Sequence, residues 1–326
     1  MKSDLFFIGI DGGGTKCRAR IEDSDGILVG ESISGPANIM RDSVMAKRSI
    51  VEAIEKAIAV SGLSIHHDQC VVGAGLAGAN IAQAAEKFGE WSHPFRQMHV
   101  LSDLHAACLG AHNGQDGAAI ITGTGSSATC WNNGVFTDIG GHGFPIGDVA
   151  SGAWLGLKAV QHTLLCLDGL RKEDELSATI CEALNTQNAN DIVSACATFN
   201  THHFAALVEQ VLPLLYMSVN SVVSLFKEGA NYIESVANVL LANNDCSLAM
   251  IGGLSTIYSQ HLSSEIKART VSSKSSPQQG ALLYAKRMQT PVQAAIQHSS
   301  STASPNTSES SQAQSSTVNS TIFTGE

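Results

Sequence analysis

Along the first third of the chain, apolar residues recur with the spacing of a β-strand in some segments and with that of an α-helix in others. Leu5 to Asp11 begins as an apolar run, and Cys17 to Glu22 alternates apolar and charged residues, which indicates two strands. Between them, Gly12 to Thr15 predicts a tight glycine hairpin. From Asp42 to Ser61, apolar residues recur at spacings of three, four and seven, which is typical of an amphipathic helix.

The same reading continues along the chain. Further strands are predicted near Ile27 to Val29, Cys70 to Val72 and Met98 to Leu101, with helices from about Asn80 and from Leu104 to Ala111. The next segment then repeats the opening, since an apolar run at Ala118 to Thr122 leads into glycines at Gly123 to Ser127 and a return strand at Ala128 to Trp131. This weak repeat predicts a duplicated α/β domain with a cleft between the copies.

Long helical patterns dominate the rest of the chain. They cover Val149 to Leu167, Ala205 to about Leu225 and Asn231 to Leu241, and a buried strand at Ser247 to Ile251 and a last helix at Pro277 to Met288 follow. We expect two lobes, residues 1–115 and 116–290, with the last helix packing back on the first lobe. Residues 291–326 are rich in Ser and Thr, and we expect a disordered tail.

Composition narrows the class of partner. The 326 residues are 44% apolar and 15% charged, with a net charge of −10, which disfavours nucleic acid and suits a small-molecule ligand. No apolar run reaches the length of a signal-peptide core or a membrane span, so we expect a soluble, cytoplasmic protein. The eight cysteines are scattered without metal-ligand spacing, which predicts free thiols.

Three times an apolar strand runs into glycines followed by a hydroxyl residue: Gly12 to Thr15, Gly123 to Ser127 and Gly252 to Ser255. Glycines let backbone N–H groups approach an anion closely, which suits phosphates, although any single loop could be only a turn. Gly73 to Gly78 also matches GxGxxG, with Asp103 placed 25 residues beyond it as a ribose-binding acid would be. Three loops in a duplicated chain favour a nucleotide held between two lobes over this dinucleotide site.

The three loops together resemble those of the sugar kinase, heat-shock protein and actin superfamily. Within it the chain is similar to the glucosamine kinase and N-acetylglucosamine kinase branch, which is grouped with the BadF/BadG/BcrA/BcrD ATPases. Further similar segments are Cys17 to Ile21, Ala37 to Met40, Ala107 to His112 and Phe144 to Ile146. The resemblance covers about residues 5–288 and implies two actin-like (ribonuclease H-like) lobes around an interlobe nucleotide cleft.

On the nucleotide side, the resemblance implies that ATP and Mg²⁺ are bound. Asp11 matches a carboxylate that holds Mg²⁺ through water, and oxygen donors suit that ion. The residues matched to ATP contacts are Gly12, Gly13, Gly14, Thr15, Thr124, Gly252 and Gly253. Lys16 either adds charge to the phosphates or lies in solvent.

On the sugar side, Asp103 matches the catalytic base for the sugar 6-hydroxyl, although by pattern alone it could be only the N-cap of the following helix. The residues matched to sugar contacts are Asn38, Ser126, Ser127, Gly141, His142 and Gly143. Asp148 matches an acid near the first and second sugar carbons, where a carboxylate pairs with a protonated amine better than with an acetamide. It could also be only the N-cap of the Val149 helix.

The expected function is phosphorylation of glucosamine to glucosamine 6-phosphate. N-acetylglucosamine is the alternative acceptor, and a non-catalytic sugar sensor would have lost Asp11, the glycines or Asp103, all of which are present. Related activator ATPases hold an iron–sulfur cluster through cysteines flanking the second loop, and no cysteine precedes Gly123 there. The expected partners are an amino sugar, ATP and a second copy of the chain in a homodimer, with no nucleic acid and no membrane.

Overall fold

Two five-stranded mixed sheets organise the computed structural model, which describes residues 5–242 and 245–289. The first sheet has the order β3-β2-β1-β4-β5 and consists of β1 (Phe6–Gly12), β2 (Cys17–Glu22), β3 (Leu28–Ser34), β4 (Cys70–Leu76) and β5 (Gln97–Ser102). The second has the order β10-β9-β6-β7-β8 and consists of β6 (Gly117–Thr122), β7 (Ser126–Asn132), β8 (Val135–Gly140), β9 (Leu248–Ile251) and β10 (Thr270–Val271).

The two sheets share one topology. In each, the first three strands form an antiparallel meander, the fourth pairs in parallel with the first, and the fifth pairs in parallel with the fourth. The weak repeat in the sequence therefore corresponds to a structural duplication. The predicted α/β architecture with a duplicated mixed-sheet core is confirmed.

Helices connect and cover the strands. They are α1 (Ser43–Ser61), α2 (Ala82–Gly89), α3 (Asp103–Ala111), α4 (Gly152–Leu167), α5 (Glu175–Ala183), α6 (Ala189–Cys196), α7 (Thr201–Tyr216), α8 (Asn220–Leu241), α9 (Ser255–His261), α10 (Ser264–Arg269) and α11 (Pro277–Gln289). Local chemistry fixes the ends of α1: the Asp42 side chain accepts a hydrogen bond from the Met45 N–H, and Gly62 ends the helix in the left-handed region. The predicted tail, residues 291–326, lies outside the described residues.

The predicted break between the two long helices is wrong. The pattern places it between Leu225 and Asn231, but α7 ends at Tyr216 and the chain turns at Ser218, where φ is +59°. Gly229 instead lies inside α8, where the Tyr258 ring leaves no room for a side chain. Among the described helices, none alone is long and apolar enough to cross a membrane; α7 and α8 pass that test only as a pair bent by 111°.

Three apolar clusters fill the structure. One lies beneath the first sheet and α1, one joins the second sheet to α4, α7 and α8, and a small one brings Leu101, Ala119, Trp131 and Ala281 together. The small cluster joins segments of both halves of the chain, because α11 returns to pack on α3, β1 and β4. Close approach of α11 requires glycine at Gly9, where a β-carbon would overlap the Gln278 backbone.

Candidate active site

The first glycine loop is the turn of the β1–β2 hairpin. Gly13 donates to the Lys16 carbonyl at 2.9 Å, and its own carbonyl accepts from the Ala37 N–H at 2.8 Å. A β-carbon at Gly14 would meet nothing within 4 Å, and its φ lies outside the left-handed region. Packing therefore does not require glycine here, which is what a loop open to a bulky anion would show.

The second glycine loop joins β6 to β7 and is tied to the start of α4. The Gly152 N–H donates to the Gly123 carbonyl at 2.8 Å, and the Ala153 N–H donates to the Thr124 carbonyl at 3.2 Å. A β-carbon at Gly123 would also meet nothing within 4 Å. The Thr124 side chain thus lies on an anchored loop with open space beside it.

The third loop follows β9 and lies beside the end of β6. The Leu254 N–H donates to the Thr122 carbonyl at 3.1 Å, and Gly252 has a φ of +104°, which favours glycine. Gly253 is exposed, and a β-carbon there would meet nothing within 4 Å. The backbone of the turn thus explains why residue 252 is glycine, whereas neither backbone nor packing explains the glycine at 253.

One cavity of about 350 Å³ gathers most of the predicted sugar-side residues. Predicted residues that line it are Asp103, Thr124, Ser126, Ser127, Gly141, Gly143 and Asp148. A second hollow of about 290 Å³ is lined by Gly14 and Asn38 together with Arg41 and Asp42. The remaining predicted residues, Asp11, Gly12, Gly13, Thr15, Lys16, His142, Gly252 and Gly253, line neither of these two cavities.

Asp103 is not the cap of helix α3. The N-cap is Ser102, whose hydroxyl oxygen accepts a hydrogen bond from the His105 N–H at 3.1 Å. Asp103 is the first residue of the helix, its Oδ1 accepts the adjacent Leu104 N–H at 2.9 Å, and its side chain lines the cavity. Desolvation by the surrounding protein, followed by the negative charge of Asp11, raises its pKa.

Asp148 is not a helix cap either. Helix α4 begins at Gly152 rather than Val149, and Ser151 caps it by accepting from the Trp154 N–H at 3.1 Å. Asp148 has a φ of +58° and Ala150 a φ of +69°. Residues other than glycine adopt this left-handed backbone conformation at a cost of about 1–3 kcal/mol. Such strain is concentrated at functional sites, and here it directs a carboxylate toward the cavity.

The environment of Asp148 is partly desolvated. Its Oδ1 accepts a hydrogen bond from the Gly143 N–H at 3.2 Å, and burial raises its pKa. A β-carbon at Gly125 would stand 2.7 Å from its Oδ2, so glycine is needed there to admit the carboxylate. The second glycine loop and the 140–151 segment are therefore fitted to each other.

Asp11 lies at the end of β1, half-buried. The Arg18 Nη1 lies 3.2 Å from its Oδ2, but burial outweighs this cation and raises the pKa of Asp11. A partly desolvated carboxylate that one arginine compensates incompletely is a suitable oxygen donor for a divalent cation.

The GxGxxG segment serves packing. A side chain at Gly73 would overlap the Ala281 backbone of α11, and one at Gly75 would overlap Ala106 of α3. Gly78 has a φ of +86° and lies against Met40. All three glycines are explained without a dinucleotide.

A His–Cys–Asp cluster lies outside the cavity. The ligand atoms of His162, Cys166 and Asp174 lie within 4.8 Å of one another. Arg171 Nη1, which can only donate, is 3.1 Å from His162 Nδ1, so a neutral His162 carries its proton on Nε2 and donates it to Asp174 at 3.1 Å. A cation would have to displace that proton, and hydrogen bonds alone account for the cluster.

Two polar cavity residues were missed by sequence reasoning, Asn80 and Asp138. Asp138 lies in β8, two residues before Gly140, and its exposed side chain is the one charged group of that strand. For Asp138, the available signal was an acid near the end of a strand that leads into paired glycines. No feature of the sequence pointed to Asn80.

Comparison with known proteins identifies the family of the chain. The model of the BadF/BadG/BcrA/BcrD ATPase family matches residues 8–285. The chain belongs to this family. Glucosamine kinase GspK of Vibrio cholerae is 35% identical over 281 residues, which cover 86% of this chain and 95% of that protein.

One solved structure and one further sequence relative give the same relationship. The crystal structure of a Chromobacterium violaceum protein described as an N-acetylglucosamine kinase matches with a TM-score of 0.78 at 28% identity, covering 87% of this chain and 99% of that one. An N-acetylmuramic acid/N-acetylglucosamine kinase of Clostridium acetobutylicum is 28% identical over 194 residues, 58% of this chain and 63% of its own. The family resemblance and the actin-like fold expected from the glycine loops are confirmed.

Proposed function

We propose that this chain is an ATP-dependent kinase that phosphorylates the 6-hydroxyl of glucosamine, with Asp103 as the general base. The observation that carries the proposal is the shared cavity of Asp103, Thr124, Ser127 and Asp148. The lining of this cavity combines the carboxylate of Asp103, which does not cap a helix, with a glycine loop that has room for a phosphate. The relatives named as amino-sugar kinases support the same substrate class.

In this mechanism Asp103 accepts the proton of the 6-hydroxyl while that oxygen forms a bond to the γ-phosphorus and ADP leaves. Its raised pKa makes it a stronger base than a fully solvated aspartate. Gly14 and Gly123 would let the loop backbone approach the phosphates without side-chain obstruction, and Thr124 adds a hydroxyl. Asp11 would hold Mg²⁺ through water, and that ion would neutralise charge on the phosphates.

The preference for glucosamine rests on Asp148. A carboxylate with an N–H partner at Gly143 and a burial-raised pKa gains more from a protonated 2-amino group than from a neutral acetamide. Asn38 supports the hydroxyl-binding role from the second hollow: its Oδ1 caps the turn at Met40 and Arg41. That leaves its amide N–H groups as the donors on offer.

The remaining expectations stay proposals. Two lobes, residues 1–115 and 116–290, would close over the sugar and exclude water. All eight cysteines are free thiols, which supports a reducing, cytoplasmic location. The homodimer is a prediction that light scattering of the purified protein would test.

The deciding experiment is a coupled assay of ADP release with glucosamine, N-acetylglucosamine, glucose and N-acetylmannosamine. We expect the highest kcat/KM with glucosamine and a requirement for Mg²⁺. If no sugar stimulates ADP release, the kinase proposal fails. A preference for N-acetylglucosamine would overturn only the role of Asp148.

A further inference from the structure

A pair of side chains, His105 and Asp138, joins helix α3 to the second sheet. His105 Nε2 lies 2.9 Å from Asp138 Oδ1 and 3.0 Å from Oδ2. His105 belongs to the first turn of α3, which follows the last strand of the first sheet, whereas Asp138 belongs to β8 of the second. We call this pair the α3–β8 clasp.

Neighbouring groups hold the clasp in place. The Thr129 hydroxyl donates to Asp138 Oδ1 at 2.6 Å, and Thr129 is the cross-strand partner of Asp138. The His105 ring stacks on Phe136 with centroids 3.7 Å apart and planes 4° from parallel. Phe136 in turn contacts Trp131, its cross-strand partner. One face of β7 and β8 thus receives the histidine.

The charge on Asp138 suits this role. Burial tends to raise its pKa, but the hydrogen bonds from His105 and Thr129 outweigh burial and lower it. The carboxylate is therefore an ionised acceptor at neutral pH, and hydrogen bonds to a charged group are stronger than neutral ones.

The clasp acts on the end of the helix that carries Asp103. The helix beyond its first turn is already fixed, because Ala106 packs against Gly280 of α11 and Gly110, near the far end, packs against the Ser276 backbone. Its first turn is fixed by the Ser102 cap and by His105, two residues beyond Asp103. Asp103 and Asp138 border the same cavity as Thr124.

We infer that His105 and Asp138 are positioning residues that hold Asp103 at its working distance from the second glycine loop. The inference rests on the proposed function, since it assigns Asp103 as the base. A displacement of about 1 Å of a catalytic group can cost on the order of 100-fold in rate. Loss of the clasp frees the first turn of α3 without removing any residue assigned to ATP or sugar.

The test uses variants that separate the hydrogen bond from the packing. His105→Phe keeps an aromatic ring for Phe136 and removes the donor, whereas His105→Gln keeps a donor. Asp138→Leu removes the acceptor with similar volume. Glu31→Gln breaks the Arg20–Glu31 pair, joined at 2.8 Å on strands β2 and β3, and serves as the control.

We expect His105→Phe and Asp138→Leu each to lower kcat about 10- to 100-fold with both KM values changed less than about threefold. His105→Gln should recover part of the loss, and the double variant should be no worse than either single variant. Glu31→Gln should leave kcat unchanged. In an Asp103→Asn background, loss of the clasp should have no further effect.

Other results would overturn the inference. They are additive losses in the double variant, a normal kcat with only a lower Tm, or a raised sugar KM at normal kcat in Asp138→Leu, which would make Asp138 a sugar ligand. Failure of the proposed function is read separately, from Asp103→Asn alone: if that variant keeps nearly full turnover, Asp103 is not the base, whatever the clasp variants do.

Discussion

The two halves of the chain share a sheet topology and differ in what their first strands end in. Strand β1 ends in Asp11 and then open glycines, whereas β6 ends in Thr122, whose buried hydroxyl oxygen has no partner among the described residues. The hairpins are superficially alike, with glycines followed by a hydroxyl residue. Duplication therefore preserved the backbone, while the polar residue at the end of the first strand diverged from a carboxylate to a hydroxyl.

The largest expected effect on kcat is at Asp103, which belongs to neither glycine loop. Asp103→Asn should lower kcat about 1,000-fold, because general-base catalysis contributes about 10²- to 10⁴-fold, with little change in either KM. ADP release with saturating glucosamine measures this. In the native protein, kcat/KM should fall as the pH is lowered through the raised pKa of Asp103, since only the carboxylate accepts the proton.

The comparison of strand ends predicts unequal losses. Asp11→Asn should lower kcat on the order of 100-fold and raise the Mg²⁺ concentration needed for half-maximal rate, because a neutral amide is a poorer partner for the hydrated ion. Thr122→Val, at the corresponding end of β6, should change kcat less than about threefold. Equal losses in a Mg²⁺ titration of both variants would contradict this division of roles.

A smaller effect is expected at the strained loop. Asp148→Asn should raise the KM for glucosamine about 10- to 100-fold, because a charge-assisted bond of about 1.5–3 kcal/mol is lost, and it should affect N-acetylglucosamine less. Asp168→Asn removes the same charge at the exposed C-cap of α4 and is the matched control. Equal changes for both sugars would separate Asp148 from amine recognition.

Substitution by alanine should affect stability at a glycine that packs against a neighbouring backbone, and ATP binding at a glycine with no neighbour within 4 Å. Gly73→Ala forces a β-carbon into the Ala281 backbone and should destabilise the fold by about 1–3 kcal/mol, measured by urea unfolding. Gly253→Ala meets no neighbour, so its unfolding midpoint should stay the same while the KM for ATP rises several-fold. A stability loss in Gly253→Ala would mean that packing alone explains both.

The smallest expected effect is a slight gain in thermal stability when Asp103 is replaced by asparagine. The folded-state pKa of Asp103 is raised above 3.8, so the folded protein binds this proton more tightly than the unfolded chain. The stabilising contribution of the protonated group is complete below that value and is lost as the pH rises through the raised pKa. Asp103→Asn should therefore have a slightly higher Tm than the native protein at pH 7, and the difference should vanish in acid.

Sequence reasoning reached most of the site by resemblance and part of it by pattern. The alternation of periods located all five strands of the first sheet, and the hairpins of both halves were predicted at the right residues. The predicted break between Leu225 and Asn231 was wrong; this stretch contains Gly229, and the sequence does not distinguish a glycine that admits a neighbouring ring from one that ends a helix. Capping by Asp103 and Asp148 stayed an open alternative for a related reason: Ser102 and Asp103, or Asp148 and Ser151, are all acceptable caps, and only backbone geometry selects one.

By itself the sequence determined the duplicated α/β fold and the three glycine loops, because periodicity and glycine placement act locally. Tertiary structure alone decided which glycines pack against α11 and which have no neighbour within 4 Å. It also brought His105 to Asp138, which are 33 residues apart. These are contacts between distant segments, and nothing in the local pattern of either segment encodes the partner that folding places beside it.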